Sequence, residues 1–451
     1  MKNYKQQFKG KKITVMGLGL LGRGIGYTKF LAECGADLIV TDLKTKEQLA
    51  TSLKALSKYK GIKFVLGEHR LEDFRGRDMI VKAGGVPLDS IYINEAKKNN
   101  IPIEMDASLF TRCAPEVMII GVTGTRGKSM TTTLTYEILK SNEKFLKKNV
   151  YIGGNLRGVA TLPLLKKVKA GDIVVCELDS WQLQGFGEAK ISPHISVFTT
   201  FMPDHMNYYK NSMEKYFEDK ANIFKYHKKE DILIILPKIK KYINKKNVQS
   251  DLIIANNKDI SNWKFIVPGE HQRDNMACAV AVAQVLGVPM KDIKKVVSKF
   301  EGLEGRMQLL RIYKGIKIYN DNNSTTPEAT IAGLRAIGDI KKKKVVLITG
   351  GDDKKLDMSS LVKEIPKWCS KVVLFKERGT DLIRDAVFEF KKNGIDVYEE
   401  EGLDNTVKMA VSVAKKGEVI LYSPAFSSFG KYFNNEYHRN DLFIKIIKKL
   451  K

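Results

Sequence analysis

The sequence predicts an α/β protein organised as three domains, and three observations carry that expectation. Short apolar strands alternate with helical patterns from one end of the chain to the other, the pattern of α/β folds. These strands fall into three series, each opening again on a Gly-rich or polar loop at a strand's C-terminal end. A length of 451 residues also exceeds what one ordinary hydrophobic core organises. The series place the domains at about 1–114, 115–302 and 303–451.

The first series comprises KITVMG (12–17), ADLIVTD (36–42), KFVLG (63–67) and DMIVKAG (78–84). GLGLLG (17–22) follows its first strand and fits G-x-G-x-x-G, with Asp42 twenty residues past Gly22. On the residues alone this is a Rossmann-like domain for a dinucleotide, NAD or FAD, although nothing downstream resembles a hydride-transfer domain. The second series is VMIIGVTG (117–124), DIVVCEL (172–178), HISVFTT (194–200) and DILIIL (231–236). The third is GIKIYND (315–321), KKVVLITGG (343–351), SKVVLFKE (370–377) and GEVILYSP (417–424), read as a further Rossmann-like α/β domain.

The strongest local signal is GVTGTRGKSMTTT (121–133). A strict Walker A would require Gly at 122, where Val stands, but Gly124, Thr125, Arg126, Gly127, Lys128 and Ser129 follow an apolar strand and open a helix. Glycines let backbone N–H groups approach phosphate oxygens, and the helix N-terminus favours negative charge. Lys128 would neutralise the β- and γ-phosphates and Ser129 would ligate Mg²⁺. The central domain is therefore expected to be a P-loop ATPase-like parallel sheet that holds ATP.

Composition narrows the class. Hydrophobic residues make up 43% and charged residues 28%, the balance of a soluble globular protein, and no apolar run has membrane-spanning length. The basic N-terminus runs straight into a strand without an apolar signal region. Cys34, Cys113, Cys176, Cys278 and Cys369 form no C-x-x-C pair, which fits a reducing cytoplasm. The net charge of +26 is spread along the chain, as in KKYINKK, KKKK (341–344) and the terminal KKLK, without a nucleic-acid motif. A solvated lysine surface is expected, with no nucleic-acid or membrane partner; its field would help draw in nucleotides.

Further segments specify the chemistry. TGTRGKS together with VVCELDSWQLQ (174–184), FMPDHMNYY (201–209) and MEKYFEDKANIF (213–224) resembles the central domain of the Mur ligases, the ATP-dependent amide-bond-forming enzymes of peptidoglycan synthesis. GEHQRDNMACAVAVAQVLGV (269–288), FEGLEGRMQLL (300–310), NDNNSTTPEAT (320–330), GGDDKKLD (350–357) and SPAFSSFGKYFNNEYHRNDLF (423–443) extend the resemblance, in order, through all three domains. Within the family, E-L-x-S-W-Q-L and S-P-x-x-x-S-F point to the branch that adds D-glutamate to a UDP-N-acetylmuramoyl-L-alanine precursor.

The resemblance implies roles for residues. An acyl phosphate would be formed from the acceptor carboxylate and ATP, then attacked by the amine, with cations stabilising the two anions brought together. Ser129 and Glu177 would hold one Mg²⁺, and His205 with a carbamate on Lys220 a second. On periodicity alone Lys220 reads as a solvated helix lysine, and His205 alone reads equally as structural. Asn275 would contact adenine; Arg306 and Asp321 would complete the ATP site after closure of the third domain. The GLGLLG domain would hold UDP rather than NAD, through Gly19, Leu20, Leu21 and Asp42, with Gly84 and Gly85 lining the cleft and Asn155 meeting the sugar–peptide part. Asn323, Thr325, Ser428 and Asn435 would meet the amino acid. A monomer is expected.

Four positions depart from the family pattern. Gly305 stands for the usual His, and Asn323 for a Lys that pairs with the incoming glutamate. Asp179 replaces a Ser near the muramoyl peptide, and Asn435 a Phe near the amino acid. Arg126 or a surrounding lysine would then supply the missing charge. Two other readings remain open here: a ligase of the same chemistry with a different amino acid or acceptor, and a nucleotide-binding regulator without turnover.

Overall fold

The computed structural model describes residues 4–20, 22–243 and 248–450; the expected site residue Leu21 lies outside them. The described residues form three sheets. The first comprises β1 (Lys12–Met16), β2 (Asp37–Asp42), β3 (Ile62–Leu66), β4 (Met79–Lys82) and β5 (Ile103–Glu104), in the order β3-β2-β1-β4-β5 and parallel throughout. The second comprises β6 (Met118–Thr123), β7 (Val150–Gly154), β8 (Ile173–Glu177), β9 (Ile195–Phe198), β10 (Ile232–Ile235) and β11 (Asp251–Ile254), in the order β11-β10-β9-β6-β8-β7 and also parallel. The third comprises β12 (Gln308–Tyr313), β13 (Ile316–Asn320), β14 (Val345–Thr349), β15 (Cys369–Phe375), β16 (Asp396–Glu400) and β17 (Val419–Tyr422), in the order β12-β13-β17-β14-β15-β16. Only its β12–β13 pair is antiparallel, so this last sheet is mixed. The expected three-domain α/β class holds.

All twelve strands expected from sequence are present, within a few residues at their ends. Five escaped sequence reading: β5, β7, β11, β12 and β16. All five are edge strands, and β5 is only two residues long. An edge strand is half solvated and need not carry a continuous apolar run, as DVYEE (396–400) illustrates. Inner strands are covered on both faces; β8, IVVCE, is buried at every position.

The chain divides into two compact units, Met1–Trp263 with Asp274–Val297, and Lys264–Arg273 with Ser298–Lys451. The first unit holds the first two sheets, whose cores run together: Ile13, Val15 and Phe30 belong to the same buried cluster as Leu162, Leu165 and Phe186. Asp106, 2% exposed, pins the seam by accepting from the Thr161 and Leu162 amides at 2.7 and 2.9 Å. In the second unit the strand period of two is visible in β14. Val345 and Leu347 enter one core and Val346 and Ile348 the other, on opposite faces of the sheet.

Candidate active site

In the first unit β6 lies between β8 and β9, so the loop leaving its C-terminal end is flanked by Glu177 and by Thr199–Thr200. That loop closes with Gly127 as N-cap of the helix Lys128–Ser141, at φ 89°, a conformation natural only to glycine. A Cβ at Gly127 would stand 2.2 Å from Asn275 Oδ1, and one at Gly124 2.1 Å from Thr199 Oγ1. The glycines are thus required by close approach as well as by backbone conformation. Thr200 finishes the turn: its carbonyl accepts from the Thr125 amide at 2.7 Å and its hydroxyl from the Arg126 amide at 2.8 Å.

Two lysines converge on this loop. Lys128 Nζ donates to the Gly124 and Thr125 carbonyls at 3.0 and 3.1 Å, and Lys220 Nζ donates to the same Gly124 carbonyl at 3.0 Å. Lys220 is 1% exposed, so the solvated helix lysine that its periodicity allows is excluded. It lies in the helix Met213–Ala221, whose start is capped by Ser212 Oγ accepting from the Lys215 amide. Burial, reinforced by the Lys128 ammonium, pushes Lys220 well below the ordinary lysine pKa.

His205 sits at the rim, its side chain 41% exposed and its backbone at φ 54°, a costly conformation for a non-glycine residue. The Trp181 ring packs against it with centroids 4.7 Å apart. Desolvation lowers its pKa below 6.5 against the opposing pull of Asp204. Asp204, which sequence reading passed over, binds Arg126 Nη1 at 2.8 Å and accepts from the His205 amide at 3.1 Å. Burial works to raise the Asp204 carboxyl, but Arg126, His205 and Lys128 outweigh it and hold it below the usual value. Arg126 is therefore engaged within its own unit. Glu177 ends β8 and is 4% exposed, and its carbonyl accepts from the Asn155 amide at 2.7 Å. Asp179 serves as N-cap of the helix Ser180–Glu188, accepting from the Gln182 amide at 2.7 Å, which gives its carboxylate a structural occupation.

No group of three or more His, Cys, Asp or Glu side chains able to hold a metal occurs among the described residues.

The expected N-terminal cleft falls at the point where the strand order reverses, between the C-terminal ends of β1 and β4. Asp42, 4% exposed, accepts from the Gly19 amide at 3.0 Å and the Lys44 amide at 2.9 Å, thereby fixing the glycine turn. Leu20 is 56% exposed in that turn. Gly84 approaches Trp181, and Asn155 Oδ1 accepts from Arg23 Nη2, so the elements around the cleft reach the central domain.

The second unit collects the remaining site candidates. Asp321, 5% exposed, accepts from the Met307 amide at 3.1 Å and Ser423 Oγ at 2.9 Å, and burial raises its pKa to about 6 despite those donors and nearby Arg306. At Gly305, φ 71°, a Cβ would meet Asn440 Oδ1 at 3.1 Å and Asn323 Oδ1 at 3.2 Å; the surroundings are shaped for no side chain there. Asn323 Oδ1 accepts from Asn322 Nδ2 at 3.1 Å, Ser428 is 2% exposed, and Asn435 caps the helix Glu436–Lys449 through the His438 amide at 2.9 Å. Lys354 Nζ donates to Thr325 Oγ1 at 2.9 Å, placing a cation beside this group that sequence reading missed. The signal was available in G-G-D-D-K, but no spacing rule joins it to Thr325 twenty-nine residues earlier.

The family model of the MurD-like N-terminal domain matches residues 11–104, that of the Mur ligase middle domain 122–264, and that of the Mur ligase glutamate ligase domain 305–426. A UDP-N-acetylmuramoylalanine–D-glutamate ligase of Roseiflexus sp. (strain RS-1) is 34% identical, covering 98% of this chain and 99% of that protein. A protein of the same name from Borreliella afzelii (strain PKo) is 30% identical with the same coverage. Among solved structures, the UDP-N-acetylmuramate-alanine ligase MurC of Thermotoga maritima has a TM-score of 0.61 at 18% identity, covering 98% of this chain and 100% of that one. The MurF ligase of Thermotoga maritima in complex with ADP has a TM-score of 0.55 at 17% identity, with both chains fully covered. These two likenesses show the shared fold. With three matching domain models in order and relatives of 30% identity or more along 98% of its length, this chain belongs to the Mur ligase family.

Proposed function

We propose that this protein is an ATP-dependent ligase that joins D-glutamate to UDP-N-acetylmuramoyl-L-alanine through an acyl phosphate, in the synthesis of a peptidoglycan precursor. The observation that carries the reading is the match along 98% of the chain to proteins bearing that name. In this reading the sugar nucleotide lies in the N-terminal cleft on Gly19, Leu20, Leu21, Asp42, Gly84 and Gly85, with its sugar–peptide part at Asn155. ATP lies on Gly124–Ser129 and Asn275; Arg306 and Asp321 would complete the site only after closure of the third domain.

The chemistry follows from charge. A carboxylate is a poor electrophile and is repelled by a γ-phosphate, so the site must first bring two anions together. Lys128 supplies a fixed cation at the phosphate loop. Mg²⁺ held by Ser129, Glu177, His205 and carbamylated Lys220 would supply further positive charge there. Lys220 suits the modification because only a neutral amine adds to CO₂, losing a proton as the carbamate forms, and its surroundings favour the neutral amine. Transfer of the γ-phosphoryl to the acceptor carboxylate gives the acyl phosphate. Attack by the D-glutamate amine gives a tetrahedral intermediate, from which phosphate leaves as the amide forms. Asn323, Thr325, Ser428 and Asn435 are read as neighbours of the amino acid. Lys354 is read as the cation that compensates for Asn323, in place of Arg126, which Asp204 occupies.

The same reading takes the protein as a monomer of the cytoplasm without nucleic-acid or membrane partners. No helix among the described residues is long and apolar enough to cross a membrane. Phosphate release is to be measured with ATP, Mg²⁺, bicarbonate, UDP-N-acetylmuramoyl-L-alanine and a panel of amino acids. D-glutamate is expected to stimulate release. Stimulation by another amino acid alone would reassign the substrate, and no ADP with any of them would favour a regulator.

A further inference from the structure

Lys82, the last residue of β4, is 1% exposed and touches no carboxylate in its hydrogen bonds. Its ammonium donates to the Val86 carbonyl at 3.0 Å and to Gln184 Oε1 at 3.2 Å. The first bond braces the Gly84–Gly85 turn of the N-terminal cleft; the second leaves that domain for the helix Ser180–Glu188. Gln184, 4% exposed, passes the polarity on: its Nε2 donates to Asp219 Oδ2 at 2.8 Å and Tyr208 Oη at 2.9 Å. Tyr209 Oη also donates to Asp219 Oδ2, at 3.0 Å. Asp219 directly precedes Lys220, which is anchored to the phosphate loop through Gly124.

A buried cation and a carboxylate are thus joined through a single amide whose orientation both of them fix, oxygen to the ammonium and nitrogen to the carboxylate. Buried groups of this kind are costly unless fully partnered, so the chain of bonds is held as a unit. Adjacent residues of one helix are tied in two directions. Asp219 leads to the turn beside the N-terminal cleft, and Lys220 to the phosphate loop.

We propose that Gln184 is a positioning residue: it couples the Gly84–Val86 turn to the helix carrying Lys220, so that a sugar nucleotide seated on that turn fixes where Lys220 stands. The inference rests on the proposed placement of the sugar nucleotide in the N-terminal cleft. It deepens that reading by naming how occupancy of one domain prepares the phosphate site of the next. Gln184 touches no substrate and acts only through Asp219.

The test follows backbone amide hydrogen exchange in residues 213–221 of the full-length protein, with and without UDP-N-acetylmuramoyl-L-alanine. Wild type is compared with Gln184→Met, Lys82→Met and the double variant. In the wild type the nucleotide sugar is expected to slow exchange in this helix, and in all three variants that response is expected to be lost. The kcat for phosphate release is expected to fall about ten- to hundredfold, the penalty for a group displaced by about an ångström. ATP affinity should stay within about twofold, since the phosphate loop is untouched, and the double variant should be no worse than either single one. Wild-type exchange that ignores the nucleotide sugar overturns the coupling, as does an unaltered response in Gln184→Met. A uniform rise in exchange across the whole first unit with matching loss of ATP affinity would make Gln184 merely structural and likewise overturn it. Absence of phosphate release from the wild type, with the exchange response intact, would instead count against the proposed reaction and leave the coupling standing.

Discussion

Replacing Gly127 by Ala tests whether the phosphate loop is shaped by close approach as well as by backbone conformation. Gly127 has φ 89°, and an added Cβ would lie 2.2 Å from Asn275 Oδ1 and 3.1 Å from its Cγ. The left-handed conformation alone costs an alanine about 1–2 kcal/mol. Displacing the buried Asn275 side chain adds about 1–3 kcal/mol, the usual penalty for overpacking. Together these give about 2–5 kcal/mol, or a Tm lowered by about 4–10 °C for a unit of this size. Gly171→Ala is the control: its φ is 81°, but nothing lies within 4 Å of the added carbon, so only the strain applies. The entropic gain of alanine in the unfolded chain is common to both variants and cancels. Differential scanning calorimetry of the two, with ATP affinity by equilibrium titration, separates the contributions. Adding Asn275→Ala to Gly127→Ala should return the clash part of the stability but not the ATP affinity. Equal Tm shifts for Gly127→Ala and Gly171→Ala, with ATP binding intact, would refute the reasoning.

Two further perturbations bear on the second unit. Burial raises Asp321 from 3.8 to about 6, so between those values the folded state keeps a proton that the unfolded state has released. Its contribution to stability is accordingly full at lower pH, declines as pH rises from about 4 to about 6, and is flat above; urea unfolding of Asp321→Asn across that range should lack this slope. Lys354→Ala removes the cation beside Thr325. The KM for the amino acid should rise at least about tenfold, as for loss of a charge-assisted hydrogen bond, while the KM for ATP moves by less than about twofold. Equal rises in both would place Lys354 elsewhere in the reaction.

Much of the architecture was legible because inner strands of a parallel sheet announce themselves. Covered on both faces, they must be apolar at successive positions, as MIIGVT (118–123) is. Edge strands carry no such obligation, which is why β12 and β16 stayed hidden. The glycine turn after β6 was equally readable, since a glycine-rich connection between strand and helix is a local device whose parts are neighbours in the chain. Residues that act through distant partners were not. Lys220 looks like any helix lysine until the fold buries it 3.0 Å from the Gly124 carbonyl, ninety-six residues away. Asp179 looked like a charge set against an acidic substrate, and the structure makes it a helix cap. Arg126 looked available to an amino acid, and the structure gives it to Asp204.

The sequence by itself determined the order of the three domains, the glycine turn after β6 and the family to which the chain belongs, because each is written in contiguous segments whose patterning is set by local sterics and burial. Tertiary structure alone decided which charges meet. Lys82 with Gln184 and Asp219, Lys128 with Lys220, and Lys354 with Thr325 are brought together across intervals that no periodicity spans. Burial then sets the protonation that side chains of the same type adopt, since desolvation depends on the surroundings and not on the residue's name.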